Sequence, residues 1–114
     1  MVSVIFEVWP DPAHRAGYLT WAAELHKELL QMDGFISIER FESLTEPGKL
    51  LSLQFWRDDS CLTAWRNLHS HRTAQAAGRS TMFNNYRLRI AEVIRDYGLE
   101  DRAEAPDDSR QAHG

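Results

Sequence analysis

The chain has 114 residues, a formal net charge of −4 and a hydrophobic fraction of 43%. That length bounds it to one small domain, of a size that often completes its burial by oligomerising. The segment from Glu100 to Gly114 carries five acids and two bases, so the body is nearly neutral and lacks the basic footprint of a nucleic-acid binder. The single cysteine, Cys61, excludes an internal disulfide and suits a reducing compartment. No run approaches the roughly 20 apolar residues of a membrane helix, and the N-terminus enters a strand-like run with no basic leader. A cytoplasmic location is expected, with neither nucleic acid nor membrane as partner.

Val2 to Trp9 is rich in β-branched and aromatic residues and stops at Pro10, which predicts a strand. Asp11-Pro12 supplies a cap and a first-turn proline for a helix. Tyr18, Trp21, Ala22, Leu25, Leu29 and Met32 then fall at helical spacing on one apolar stripe, and Asp33-Gly34 ends it. From Phe35 to Glu42 the residues alternate, with Phe35, Ser37, Glu39 and Phe41 on one side and Ile36, Ile38 and Arg40 on the other. Thr45-Glu46-Pro47-Gly48 reads as a turn with Pro and Gly in type II positions. The next strand, Leu50 to Trp56, alternates Leu51, Leu53 and Phe55 against Ser52, Gln54 and Trp56, completing an antiparallel hairpin.

Asp58, Asp59 and Ser60 are N-cap candidates for a helix to about Leu68, and Ser70 for a second piece to about Phe83. Asn84-Asn85 is expected to break it, before a last strand from Tyr86 to Tyr97. After Gly98 the apolar pattern stops. The domain is therefore expected over residues 1–98, with residues 99–114 an acidic, disordered tail.

The order β-α-β-β-α-β is the split plan of ferredoxin-like α+β domains, with helices on one face of an antiparallel sheet. The other face is expected to carry Trp9, Phe35, Phe41 and Trp56 beside Glu7, Glu39 and Gln54. A face so aromatic calls for cover. A homodimer closing two sheets into a barrel is the simplest expectation, with Glu39, Glu7 and Arg89 as candidate interface ion pairs.

Taken together, Val4-Ile5-Phe6-Glu7-Val8-Trp9-Pro10, Gly34-Phe35, Ser52-Leu53-Gln54-Phe55-Trp56-Arg57-Asp58, Ala64-Trp65, His71-Arg72-Thr73-Ala74-Gln75 and Tyr86-Arg87-Leu88 resemble the antibiotic biosynthesis monooxygenase superfamily of dimeric α+β barrel proteins. The likeness spans about residues 2–97. It implies a ferredoxin-like dimeric barrel and one of several activities: oxidation of polycyclic phenols without a cofactor, quinol oxidation, or haem degradation. Fold alone does not choose among them. Haem-degrading relatives carry an iron-ligating His where this chain has Gln75, and a first-strand Asn that Val2 to Trp9 lacks. Haem stays a minor expectation, with His71, His69 or His26 as ligands from other turns.

The resemblance implies that Trp65 lines a pocket against a flat ligand, although its spacing with Cys61, Leu62 and Leu68 also suits a core residue. His69 and His71 are two apart, point to different sides of a helix and make a poor metal pair. No zinc spacing accompanies them, so no metal site is expected. His71 suits a general base, because free imidazole titrates near neutrality. Arg72 suits a phenolate or carboxylate partner, as does Gln75. Trp56 is expected as a second pocket wall, with His26, His69 and Tyr86 at the margins. Cys61, on an apolar face with no base nearby, reads as buried and inert.

The expected function is oxidation of an electron-rich phenol, hydroquinone or anthrone by O2, without a bound organic cofactor. His71 would form the anion, Arg72 or Gln75 would hold it, and Trp65 and Trp56 would exclude water. The alternatives are a haem-binding or haem-handling dimer, a non-catalytic binder of a small hydrophobic or aromatic ligand, and a lyase or isomerase on the same fold.

Overall fold

The structure, a computed structural model, describes residues 1–77 and 82–114. Strand β1 (Val2–Pro10) leads to a 3-10 turn over Pro12–His14 and helix α1 (Arg15–Leu29). The hairpin β2 (Phe35–Glu42) and β3 (Leu50–Trp56) follows, then α2 (Asp59–Arg66), α3 (His69–Ala77), β4 (Phe83–Glu92) and a terminal α4 (Asp107–His113). The four strands form one sheet in the order β2-β3-β1-β4, every pair antiparallel. This is the ferredoxin-like α+β arrangement, with the first and third strands adjacent at the centre.

Local chemistry accounts for the boundaries. The Asp11 carboxylate accepts from the Ala13 N–H at 2.9 Å and caps the 3-10 turn rather than α1 itself. Asp58 caps α2, its carboxylate accepting from the Cys61 N–H at 2.9 Å. Pro47 and Gly48 occupy the centre of the hairpin turn: Gly48 has φ +84°, and the Lys49 N–H donates to the Glu46 carbonyl at 3.2 Å. Gly34 turns the chain into β2 with φ +81°. Its missing side chain lets Cys61 pack against its α-carbon, since a Cβ there would lie 2.5 Å from the Cys61 Sγ.

Three expectations need correction. Phe35 and Trp56 do not lie on the outer face, nor does Gln54. The β2–β3 register shifts between Phe35 and Ser37, so Ile36 is an extra residue and Phe35 pairs with Trp56 on the helix side. The outer face instead carries Ile5, Leu51, Leu53 and Phe55, half-buried, with Phe41 more exposed. Glu7 accepts there from Arg89 at 2.9 Å and pairs with Lys49 at 3.2 Å within the same chain.

Asn84-Asn85 does not break the chain. β4 begins at Phe83, and Asn85 pairs with Trp9 along the sheet edge. The expected end of the second helical piece falls partly on residues 78–81, outside the described residues. Finally, the tail expected to lack structure contains α4. Its acids, Asp107 and Asp108, sit in the first turn and its bases, Arg110 and His113, in the last, matching the helix dipole. Arg102 donates to the Gly98 carbonyl at 3.1 Å and Arg110 to the Ala105 carbonyl at 2.9 Å, folding the segment on itself around buried Ala105.

Buried residues form two clusters between sheet and helices. One joins Val2, Val4, Leu29, Trp56, Cys61, Leu62 and Trp65. The other joins Val8, Tyr18 and Leu50. Protein cores are ordinarily close-packed; here the two clusters flank an open space. Among the described residues no helix is long and apolar enough to cross a membrane.

Candidate active site

The space between the clusters is a cavity of about 570 Å³, within the range of small-molecule sites. Strand register builds its floor in rows. Arg40 opposes Ser52, which opposes Phe6, which opposes Leu88. One row along, Ile38, Gln54, Val4 and Ile90 lie in line. All eight line the cavity. The predicted stripe of α1 forms one wall through Tyr18, Trp21, Ala22, Leu25 and Leu29, and Leu62, Trp65, Arg66, His71, Arg72, Gln75 and Ala76 close the other side. Phe6, Phe83, Tyr86 and Tyr18 pack edge-on at one end, with ring centroids 5.3–6.2 Å apart.

His71 stands in the first turn of α3, its ring 4.7 Å from that of Trp65. Its Nδ1 is buried without a hydrogen-bond partner among the described residues. Burial pushes its pKa down from 6.5 to about 4, the neighbouring Arg72 guanidinium pushes the same way, and Glu28 opposes both. The imidazole is therefore neutral at physiological pH, with a ring nitrogen left for a ligand. Arg72 donates to the Asn67 side-chain oxygen, which fixes its position at the cavity wall.

Of the sequence-predicted residues, the structure brings His71, Arg72, Trp65, Gln75 and Tyr86 together around the cavity. Trp56 is not on its wall: it is fully buried behind Trp65, the two rings stacked at 6.5 Å, and its Nε1–H donates to the Gln54 Oε1 at 2.9 Å. It supports Trp65 instead of touching a ligand. His26, half-buried in the last turn of α1, is not among the lining residues either. The side chain of His69 lies outside the described residues. Cys61 is buried and its thiol pKa is pushed up by that burial. Among the described residues no cluster of three or more His, Cys, Asp or Glu forms a metal site.

Sequence reasoning missed Arg40, Phe6, Trp21 and Gln54. Arg40 had a signal: alternation placed it on the side of Ile38, where a charge is out of keeping. Its Nε is buried and has no hydrogen-bond partner among the described residues.

The fold and cavity define an α+β ferredoxin-like domain with a partly open cavity between its sheet and helices. The chain belongs to the antibiotic biosynthesis monooxygenase family, whose model matches residues 1–77. It is 45% identical over 93 residues to a protein of Pyricularia oryzae named jasmonate monooxygenase ABM, a match covering 82% of this chain and 43% of that protein. The chain thus spans less than half the length of that relative. In three dimensions it resembles a Deinococcus radiodurans protein assigned to the antibiotic biosynthesis monooxygenases, with TM-score 0.77 and 17% identity over 86% of this chain and 97% of that one. It also resembles Rv0793 of Mycobacterium tuberculosis, with TM-score 0.75 and 18% identity over 85% and 98% of the two chains. At those identities the structural likeness speaks to fold alone.

Proposed function

We propose that the chain is a monooxygenase that oxidises a small electron-rich substrate with O2 inside the 570 Å³ cavity, without a bound organic cofactor. The observation that carries this reading is His71: a neutral imidazole with a nitrogen unpartnered among the described residues, against Trp65 on the wall of an aromatic-lined space. His71 accepts the proton of an enolisable or phenolic substrate, and Arg72 and Gln75 hold the anion that results. The anion gives its electrons to O2. For an anthrone-like substrate the ring CH2 becomes C=O with one oxygen atom, and the other leaves as water, so the substrate is the sole reductant. Proton transfer to a base of pKa near 4 is uphill, and pairing of the imidazolium with the new anion offsets the cost.

The test is oxygen uptake by chelator-treated protein over hydroquinones, anthrones and jasmonate, the last included because the relative in Pyricularia oryzae bears its name. Uptake that falls by about 100-fold or more in His71→Gln supports the assignment. Absence of uptake, or unchanged rates in both His71→Gln and Arg72→Met, overturns it. A saturable Soret shift with hemin, lost in His71→Gln, would replace it with haem handling. The apolar outer face supports a homodimer, sheet against sheet, through Ile5, Leu51, Leu53 and Phe55.

A further inference from the structure

We propose that Arg40 anchors a carboxylate of the ligand, so that the cavity selects an apolar molecule bearing one anionic end. This deepens the reading above and rests on the cavity being the substrate site. Three arginines (Arg40, Arg66 and Arg72) line the cavity together with His71, and no Asp or Glu is among the described lining residues. Glu28 lies close enough to His71 to favour its protonation but is not on the wall. Of the three, Arg40 is the one on the sheet. It ends the row that continues through Ser52 and Phe6, with a polar residue beside it and apolar residues beyond.

The Nε of Arg40 is buried and finds no acceptor among the described residues, whereas Arg72 already donates to Asn67. A buried donor of a charged group left unmade is costly, and a ligand acceptor removes that cost. The Nε–H and an adjacent Nη–H form the planar fork that takes both oxygens of a carboxylate. The ligand's body then lies over the apolar floor toward Trp65 and His71. The anchor sits on a paired strand and the base on a helix, so the carboxylate fixes which carbon of the ligand reaches His71.

Isothermal titration calorimetry with decanoate and its neutral analogue decanamide tests this on the full chain. Wild type is expected to bind decanoate at least about tenfold more tightly than decanamide. Arg40→Met should abolish the preference by weakening decanoate while leaving decanamide within about twofold. Arg40→Lys, which keeps the charge, should retain part of the preference and guards against a misfolded Arg40→Met. Equal binding of both probes by wild type, no binding of either, or equal weakening of both in the two variants would overturn the proposal. Oxygen plays no part in the titration. A carboxylate preference without oxygen uptake retires the oxygenase reading and keeps the anchor; uptake without the preference does the reverse.

Discussion

Replacing His71 by Gln should flatten the loss of stability on mild acidification. In the folded chain the imidazole titrates near 4 because burial, and then Arg72, oppose its charge; its ordinary value is 6.5. Between those values the unfolded chain binds a proton that the folded chain refuses. Stability therefore falls as pH drops: the penalty is absent well above 6.5 and complete below about 4. Between about pH 7.5 and about pH 5 the linkage amounts to at most ~2 kcal/mol. The ring keeps some access to solvent, so about half of that, ~1 kcal/mol, is expected. Urea unfolding followed by tryptophan fluorescence at the two pH values, on wild type and His71→Gln, isolates it, since the two proteins differ at this one residue. Equal losses in the two proteins, or an NMR titration of the His71 ring with a midpoint above about 6, would refute the reasoning. The same neutrality predicts that kcat/KM shows no His71 inflection between about pH 6 and about pH 8.

Gly34→Ala should cost about 2–4 kcal/mol, because a Cβ at φ +81° would meet the Cys61 Sγ at 2.5 Å and its Cβ at 2.8 Å; denaturant midpoints check this, and adding Cys61→Ala should recover only part. Trp65→Ala should cost about 3–5 kcal/mol, since the side chain is 2% exposed and joins the core to the cavity wall. Trp65→Phe should cost less and retain ligand binding, which calorimetry reads. Leu53→Lys, on the outer sheet face, should convert a micromolar dimer to a monomer in sedimentation velocity; a monomeric wild type would remove the sheet-to-sheet arrangement.

What was legible in the sequence is what depends on neighbours along the chain. The α1 stripe faces the sheet as its spacing implies, Asp58 is one of the three caps the pattern offered, and Pro47-Gly48 makes the hairpin turn. His71 and Gln75, named from residue type and the family resemblance rather than from spacing, both line the cavity. The failures depend on partners distant in sequence. The extra residue at Ile36 leaves no mark in composition, yet it sends Phe35 to the helix side and unsettles any face assignment made by alternation alone. Asn84-Asn85 reads as a breaker, and what it leaves in the edge strand is a register shift rather than an end: Asn85 pairs with Trp9 and Phe83 with Pro10, with Asn84 as the extra residue between them. The α4 segment was judged by its acidity, when the separation of acids from bases along it was the relevant signal.

Arg40 illustrates the same division within the site. In the sequence it is one arginine in an alternating strand. It acquires significance only because register sets it opposite Ser52 and because no described group accepts from its Nε. The helix-borne residues give the cavity a neutral imidazole and a cation close to it, which would suit many substrates. The sheet contributes a second cation from a different element, Arg40 on β2. In the proposed reading the sheet fixes a ligand's orientation while the helix acts on it, and substitutions at Arg40 should therefore change which ligands bind before they change what His71 does to them.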